Sequence, residues 1–160
     1  MDEWLAARRI PRTDGALVLL DVPDIRQDSE FDCGAAAVDA VCRYHRIRKT
    51  NVKDLTNAVQ GLGPDTARAI LTGLGLIVLA GPMQVEDLQH LTRTNRPVLC
   101  PVNLYGGHWV VVRGVERGGV YFQCPTQGRL RLSMSKWLDE WVSYSETGHM
   151  FHQWGIATSR

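Results

Sequence analysis

Long apolar runs are missing from this sequence. Stretches such as residues 16–20 are far shorter than the roughly 20 residues that a helix needs to cross a bilayer, so we expect no membrane anchor. Cysteine is also scarce: four residues in 160, at positions 33, 42, 100 and 124, are too few for a disulfide scaffold and form no closely spaced pair of the zinc-knuckle kind. We therefore expect free thiols, one of which is available for chemistry.

An excess of charge of one sign is absent as well. The 18 lysines and arginines nearly balance the 17 acidic residues, and the net charge of +1 gives no overall attraction to nucleic acid or to an anionic membrane. The N-terminus places acidic residues ahead of the arginines and has no cleavage pattern of the secretory type. The composition therefore predicts a cytoplasmic globular protein without a nucleic-acid partner.

What the sequence does contain is enough for one domain with a substantial core. Its 160 residues, 44% of them hydrophobic, predict a single domain rather than two. Residues 1–15 have the character of an N-terminal arm, because proline and glycine interrupt any periodicity there, and residues 16–160 form the domain. No cofactor and no metal are expected, since the cysteine and histidine spacings carry no metal signature.

The predicted elements place helices before strands. Predicted helices are residues 33–45, 51–60, 64–74, 85–91 and 135–142, and predicted strands are 16–22, 76–79, 97–103, 108–115, 120–124 and 129–132. Residues 150–158 form either a terminal strand or a docked tail. This separation predicts an α+β fold, in which N-terminal helices pack on one side of a C-terminal antiparallel sheet.

A cysteine at the start of the first predicted helix is the candidate nucleophile. Cys33 follows a polar turn and begins the helix, where aligned backbone N–H groups favour the thiolate, the reactive form of the thiol. Gln27 lies upstream and Gly34 follows directly, so an amide side chain and backbone N–H groups can converge on a developing oxyanion. A lone cysteine is more commonly a small buried hydrophobe, and these neighbours are what favour the nucleophile.

A histidine at the start of a buried strand is the candidate general base. His108 follows a pair of glycines and precedes a tryptophan and three valines, and of the five histidines it is the one with strong apolar framing. The residues alone leave open a structural imidazole that is held by hydrogen bonds within the sheet.

Three short segments, in this order, resemble one family. Residues 27–36 (QDSEFDCGAA), 108–112 (HWVVV) and 124–128 (CPTQG) resemble the double-glycine leader peptidases, bacteriocin-processing domains of papain-like fold that are often fused to ABC exporters. The resemblance extends over residues 20–142 and includes the last predicted helix. It implies a papain-like α+β fold with Cys33 as nucleophile, His108 as general base and Gln27 as oxyanion-hole donor.

One position departs from that family. Where the family has an Asp followed by Pro, which orients the imidazole, this chain has Cys124 followed by proline. A neutral thiol neither stabilises an imidazolium as a carboxylate does nor fixes its tautomer well, so the triad is reduced to a Cys33–His108 dyad. A cysteine nucleophile tolerates this loss better than a serine does. Gln123 or Gln127 is a weaker candidate to orient the ring through its side-chain carbonyl.

Three other interpretations stay open at this point. Cys33, His108 and Cys124 are potential soft ligands for Zn²⁺, without an obvious fourth ligand. The basic residues between positions 43 and 53 form a potential basic patch, although a solvated helix end explains them equally well. The apolar residues after position 150 are a potential strand for binding a partner.

The sequence therefore predicts a stand-alone cysteine peptidase acting on a peptide or protein substrate. Cys33 forms a thioester, His108 moves the proton, and cleavage after Gly-Gly is one candidate specificity. The alternative, suggested by Cys124, is a pseudopeptidase that uses the same cleft to bind a peptide, a leader segment or a protein partner. The enzyme needs an accessible Cys33 of low pKa, whereas the binding protein needs only the groove.

Overall fold

The computed structural model describes residues 17–27, 33–47, 63–104, 107–145 and 148–160, and the fold is built from these ranges. The predicted N-terminal arm, the turn that precedes Cys33 and the predicted helix at 51–60 lie outside the described residues.

Helices and strands follow one another in the predicted order. The helices are α1 (Cys33–Tyr44), α2 (Pro64–Gly73), α3 (Val85–Arg93) and α4 (Met134–Glu140). The strands are β1 (Ile77–Pro82), β2 (Val98–Val102), β3 (His108–Glu116), β4 (Gly119–Cys124), β5 (Gly128–Ser133), β6 (Val142–Tyr144), β7 (Met150–His152) and β8 (Trp154–Ser159). None of these helices is long and apolar enough to cross a membrane.

Six strands form one antiparallel sheet in the order β1-β8-β2-β3-β4-β5, and β6 and β7 pair as a separate ribbon. Strand β8 lies between β1 and β2, so that Ile156 is opposite both Ala80 and Leu99. The C-terminal tail is thus an inner strand of the sheet. For β8, the hypothesis of a strand that binds a partner is wrong, because β1 and β2 already pair with both of its sides.

Apolar clusters cover both faces of the sheet. Trp109 and Val111 pack with α1 and α2, whereas the alternating residues Val110 and Val112 pack with α3 and α4. The α+β class is confirmed, and the N-terminal helices pack on one face as predicted. The later helices α3 and α4 cover the other face, since β2 is buried throughout and β3 at all but its end residues, which requires cover on both faces.

Residues 17–27, called the crossing segment below, run across one face of the sheet instead of joining it. The strand predicted at 16–22 is not formed over its described part. Leu20 donates its N–H to the backbone carbonyl of Arg113, and its own carbonyl accepts from the Arg113 guanidinium, both at 2.9 Å. The Val18 carbonyl passes so close to Gly114 that a side chain there would clash. Its described contacts with β3 are thus the two hydrogen bonds between Leu20 and Arg113 and the passage over Gly114, without a ladder of strand pairing.

Candidate active site

Three of the four predicted site residues lie at one end of the sheet. Strand β3 begins at His108 and β4 ends at Cys124, and since these strands are antiparallel neighbours, the two residues lie at the same end of the sheet. Gln27 reaches this end too, because its backbone N–H donates to the Pro125 carbonyl at 2.9 Å. The pairing of strands and the crossing segment therefore bring together residues that are remote in sequence.

Cys33 reaches this end of the sheet from the helical layer. It is the first residue of α1, whose small and apolar side chains pack against β3 in one core cluster. The backbone N–H groups of Trp109, of Gly34 and of Cys33 itself are placed to hydrogen-bond the Cys33 sulfur. Trp109 directly follows His108, so the candidate nucleophile lies at the beginning of the strand that carries the candidate base.

Burial dominates the electrostatics of Cys33. With the residue only 9% exposed, loss of solvent raises the pKa of the thiol, and the backbone N–H groups of Trp109, Gly34 and Cys33 offset only part of that rise. The proximity of Cys124 acts in the same direction on the pKa of Cys33, so the two cysteines lie close enough to interact. The expectation that the helix N-terminus favours the thiolate of Cys33 is therefore corrected. Desolvation of the sulfur raises its pKa by more than the N–H groups at the helix end lower it.

The His108 imidazole is shifted toward its neutral form. The residue is half-buried, its backbone is opposite Val102 of β2, and burial lowers the pKa of the ring. A ring whose pKa lies below the ordinary value of about 6.5 is uncharged at neutral pH. The resting site thus holds a neutral thiol and a neutral imidazole, the protonation states from which a base can remove the thiol proton.

Cys124 occupies the third position as a fully buried thiol. Its exposed fraction is 0%, and its sulfur lies 3.2 Å from the Thr126 hydroxyl in the turn that follows β4. The hypothesis that the Gln123 carbonyl orients the imidazole is not supported. The Gln123 amide nitrogen donates to Asp24, and the carbonyl oxygen has no hydrogen-bond partner among the described residues. Gln127 lies exposed in the turn.

Two charged residues at this end of the sheet were not predicted from the sequence. Asp24 accepts hydrogen bonds from Arg26 at 2.7 Å and from Gln123, and Arg26 donates to the Thr126 carbonyl at 3.2 Å. The hydrogen bond to Asp24 raises the pKa of Arg26, and the nearby Cys124 adds to that rise. Nothing local in the sequence signalled these contacts, since Arg26 and Thr126 are 100 positions apart.

The zinc and basic-patch interpretations gain no support. Cys33, His108 and Cys124 are all described, yet no group of three or more His, Cys, Asp or Glu side chains within the described ranges is placed to hold a metal ion. Arg43 forms an ion pair with Asp39 at 3.1 Å along α1. The basic residues at 48, 49 and 53 lie outside the described part of the chain.

A family comparison agrees with this architecture. The model of the Peptidase C39 family matches residues 21–146. The chain therefore belongs to the peptidase C39 family, a family of cysteine peptidases, and the resemblance found in its sequence motifs is confirmed. A comparison with curated proteins finds no significant match.

Several solved structures share the fold at low sequence identity. A double glycine motif protease from an AMS/PCAT transporter, solved in complex with the leader peptide, has a TM-score of 0.69 and 17% identity over 91% of this chain and 100% of that chain. A C39-like peptidase from Bacillus anthracis has a TM-score of 0.71 and 14% identity, covering 91% and 98%. The peptidase domain of Streptococcus ComA, a bi-functional ABC transporter, has a TM-score of 0.65 and 17% identity, covering 84% and 96%. These similarities establish the papain-like α+β fold.

Proposed function

We propose that this protein is a cysteine peptidase that cleaves a peptide bond through Cys33, with His108 as general base. Gln27 is the proposed oxyanion-hole donor, and Cys124 holds the third position. The observation that carries the proposal is the placement of the Cys33 sulfur against the backbone N–H of Trp109, the residue next to His108. Membership of the C39 family supports the class of reaction.

The proposed reaction begins with proton transfer. The neutral His108 imidazole takes the thiol proton as the Cys33 sulfur forms a bond to the substrate carbonyl carbon. The carbonyl oxygen becomes an oxyanion, which the Gln27 amide and backbone N–H groups stabilise. Collapse breaks the C–N bond, and His108 returns the proton to the leaving amine. Water then hydrolyses the thioester, with the same imidazole as base.

The proposed substrate is a peptide or a protein segment, and a Gly-Gly site is the first to test. One structural relative is a double glycine motif protease that was solved with the leader peptide, and residues 27–36 of this chain carry the motif that resembles that family. The proposal treats residues 16–160 as one peptidase-type domain preceded by an arm at 1–15. All four cysteines are free thiols, which supports a reducing, cytoplasmic setting.

A pseudopeptidase that binds a peptide in the same cleft is the second candidate, and one observation favours it. Cys124, with 0% exposure, stands where the resemblance implies a carboxylate. A thiol orients an imidazole less well than a carboxylate does, and the raised pKa of Cys33 makes the thiolate harder to form. Such a protein keeps its affinity for the peptide and loses turnover.

Turnover separates the two candidates. The chain is incubated with a peptide library that contains Gly-Gly sites, and products are identified by mass spectrometry for wild type, Cys33→Ala, His108→Ala and the control His152→Ala, which changes an exposed residue of β7. Cleavage that persists in the control and falls by about 100-fold or more in the other two variants supports the peptidase. Cleavage that persists in Cys33→Ala overturns it. Retention of peptides on immobilised wild type without cleavage supports the pseudopeptidase.

A further inference from the structure

Three side chains hold the end of the crossing segment against the sheet: Asp24, Arg26 and Gln123, called the Asp24 cluster below. One carboxylate oxygen of Asp24 accepts from Arg26 Nε at 2.7 Å and from Gln123 Nε2, and the other accepts from Arg26 at 3.3 Å. Gln123 is only 1% exposed, so the cluster joins a surface ion pair to the interior of the sheet. The carboxylate is the shared acceptor on which both other side chains depend.

Arg26 extends the cluster to the turn between β4 and β5. Its Nη1 donates to the Thr126 carbonyl at 3.2 Å, and its guanidinium occupies the space that a side chain at Gly128 would fill. Gly128 has a φ of +84°, a conformation that favours glycine. The turn is therefore shaped to receive the guanidinium.

Gln27 directly follows Arg26 in the sequence, and the turn between β4 and β5 also fixes the backbone of Gln27. Its N–H donates to the Pro125 carbonyl at 2.9 Å. Residues 17–27 form no helix or strand, so these contacts, rather than a ladder of backbone hydrogen bonds, determine where Gln27 lies. The chain of contacts runs from the buried amide of Gln123 through Asp24 and Arg26 to the turn that holds Gln27.

We propose that the Asp24 cluster positions Gln27 so that its amide reaches the oxyanion formed at Cys33. This inference rests on the proposed function and gives the three residues of the cluster a positioning role. An oxyanion-hole donor stabilises charge only when it is held in place, and a displacement of about 1 Å costs on the order of 100-fold in rate. The cluster thus controls the rate of the chemical step and not the affinity for substrate.

The charge state of Asp24 suits this role. The Arg26 guanidinium holds the pKa of the carboxyl group below its usual value, and the Gln123 amide acts in the same direction. Asp24 is therefore ionised at neutral pH and becomes protonated only below its usual pKa of about 3.9. The shared acceptor is present throughout the range in which a cysteine peptidase works.

Kinetics of Asp24 variants test the inference. With a peptide that the wild type cleaves, Asp24→Ala should lower kcat about tenfold and leave KM unchanged, and Asp24→Asn, which keeps one acceptor oxygen, should lower kcat less. In a Gln27→Ala background, Asp24→Ala should cause no further loss, because the cluster acts through Gln27. Losses that multiply in the double variant, or a change confined to KM, overturn the inference.

The matched control is Arg131→Gln. Arg131 of β5 forms an ion pair with Glu116 of β3 at 2.6 Å, and this pair is partly exposed, as the Asp24–Arg26 pair is. The Arg131–Glu116 pair does not contact the crossing segment. This variant should keep the wild-type kcat. A loss in Arg131→Gln equal to that in Asp24→Ala would mean that the effect is a general one on stability, and it would overturn the positioning role.

Hydrogen exchange at the backbone N–H of Gln27 tests the positioning without any substrate. The N–H that donates to Pro125 should exchange about tenfold faster in Asp24→Ala than in wild type and in Arg131→Gln. Equal exchange in Asp24→Ala and wild type overturns the inference. Failure of the proposed function has a different signature, since no peptide is then cleaved in a Cys33-dependent way, whatever the exchange rate of Gln27.

Discussion

The Cys124 sulfur lies 3.2 Å from the Thr126 hydroxyl, at the end of β4 where the resemblance implies a carboxylate. That hydroxyl can donate to a carboxylate as well as to a thiol. The Arg26 guanidinium is also close enough to interact with Cys124. The surroundings of the third position therefore accommodate a negative charge in spite of complete burial.

Cys124→Asp should accelerate acylation. The new carboxylate can accept a hydrogen bond from the His108 ring and stabilise the imidazolium that forms during proton transfer, so we expect kcat to rise by about tenfold or more. The measurement is kcat for a peptide that wild type cleaves, with Cys124→Asn as the uncharged control of similar size. An unchanged rate in a folded Cys124→Asp would mean that another group already orients His108.

Alkylation of Cys33 should follow the pH profile of a buried thiol. Burial raises the pKa of Cys33 and lowers that of His108, so the thiolate should form only above the ordinary cysteine pKa of about 8.5. Iodoacetamide labelling, resolved by peptide mass for each cysteine, should rise for Cys33 through the alkaline range. Cys42, whose pKa burial raises to about 11, is the internal reference. Fast labelling of Cys33 below neutral pH that is lost in His108→Ala would instead indicate a thiolate–imidazolium pair.

Gly114→Ala should destabilise the fold, because the crossing segment passes directly over this position. An added Cβ would meet the Val18 carbonyl and would lie 2.8 Å from the Leu19 side chain, so backbone must move. We expect a loss of about 1–3 kcal/mol in the free energy of unfolding, measured in urea. Gly73→Ala is the control, because nothing lies within 4 Å of its added Cβ and alanine favours a helix. Equal stability of the two variants would contradict the packing.

His45→Gln should reduce the loss of stability on acidification. His45 is buried, with Nε2 at 2.9 Å from the Thr158 hydroxyl, and burial lowers the pKa of its ring, with Arg160 adding to the effect. A lowered pKa means that the unfolded chain binds the proton more tightly, so stability is full above about pH 6.5 and falls as the pH decreases through that value.

Urea unfolding at a series of pH values across that range measures the effect. The free energy of unfolding should fall less steeply with acidification in His45→Gln than in wild type, while the exposed control His149→Gln keeps the wild-type slope. His108, whose pKa burial also lowers, contributes a part of the slope that both variants retain. A wild-type slope in His45→Gln would show that His45 does not carry the difference.

Elements specified by local patterns were predicted correctly. Strands β2 to β5 follow one another as antiparallel neighbours, with glycine-containing turns and β-branched or alternating apolar residues that mark each strand in the sequence. Helix α2 begins at Pro64, and Gly75, with a φ of +91°, directly follows its C-cap residue Leu74; these are the usual positions of proline and glycine at helix ends. The strand predicted at 16–22 is not formed, because an apolar run does not distinguish a strand from a segment that packs across the face of a sheet.

The site was predicted in its chemical groups and not in its electrostatics. The motifs identified Gln27, Cys33, His108 and Cys124 as candidates, and the fold brings them together at one end of the sheet. The raised pKa of Cys33 depends on what packs over the sulfur, which no local pattern encodes. The contact between Asp24 and Gln123 spans 99 positions and was likewise out of reach of a reading of neighbours in sequence.

The position of β8 has a consequence for synthesis of the chain. In the described sheet, the one hydrogen-bonded neighbour of β1 is β8, which is also the strand that follows all others in chain order. On the ribosome β1 emerges long before β8, and until β8 inserts, β1 and the adjacent edge of β2 offer free N–H and C=O groups to other nascent chains. Every residue of the proposed site is therefore translated before the sheet that supports it can close.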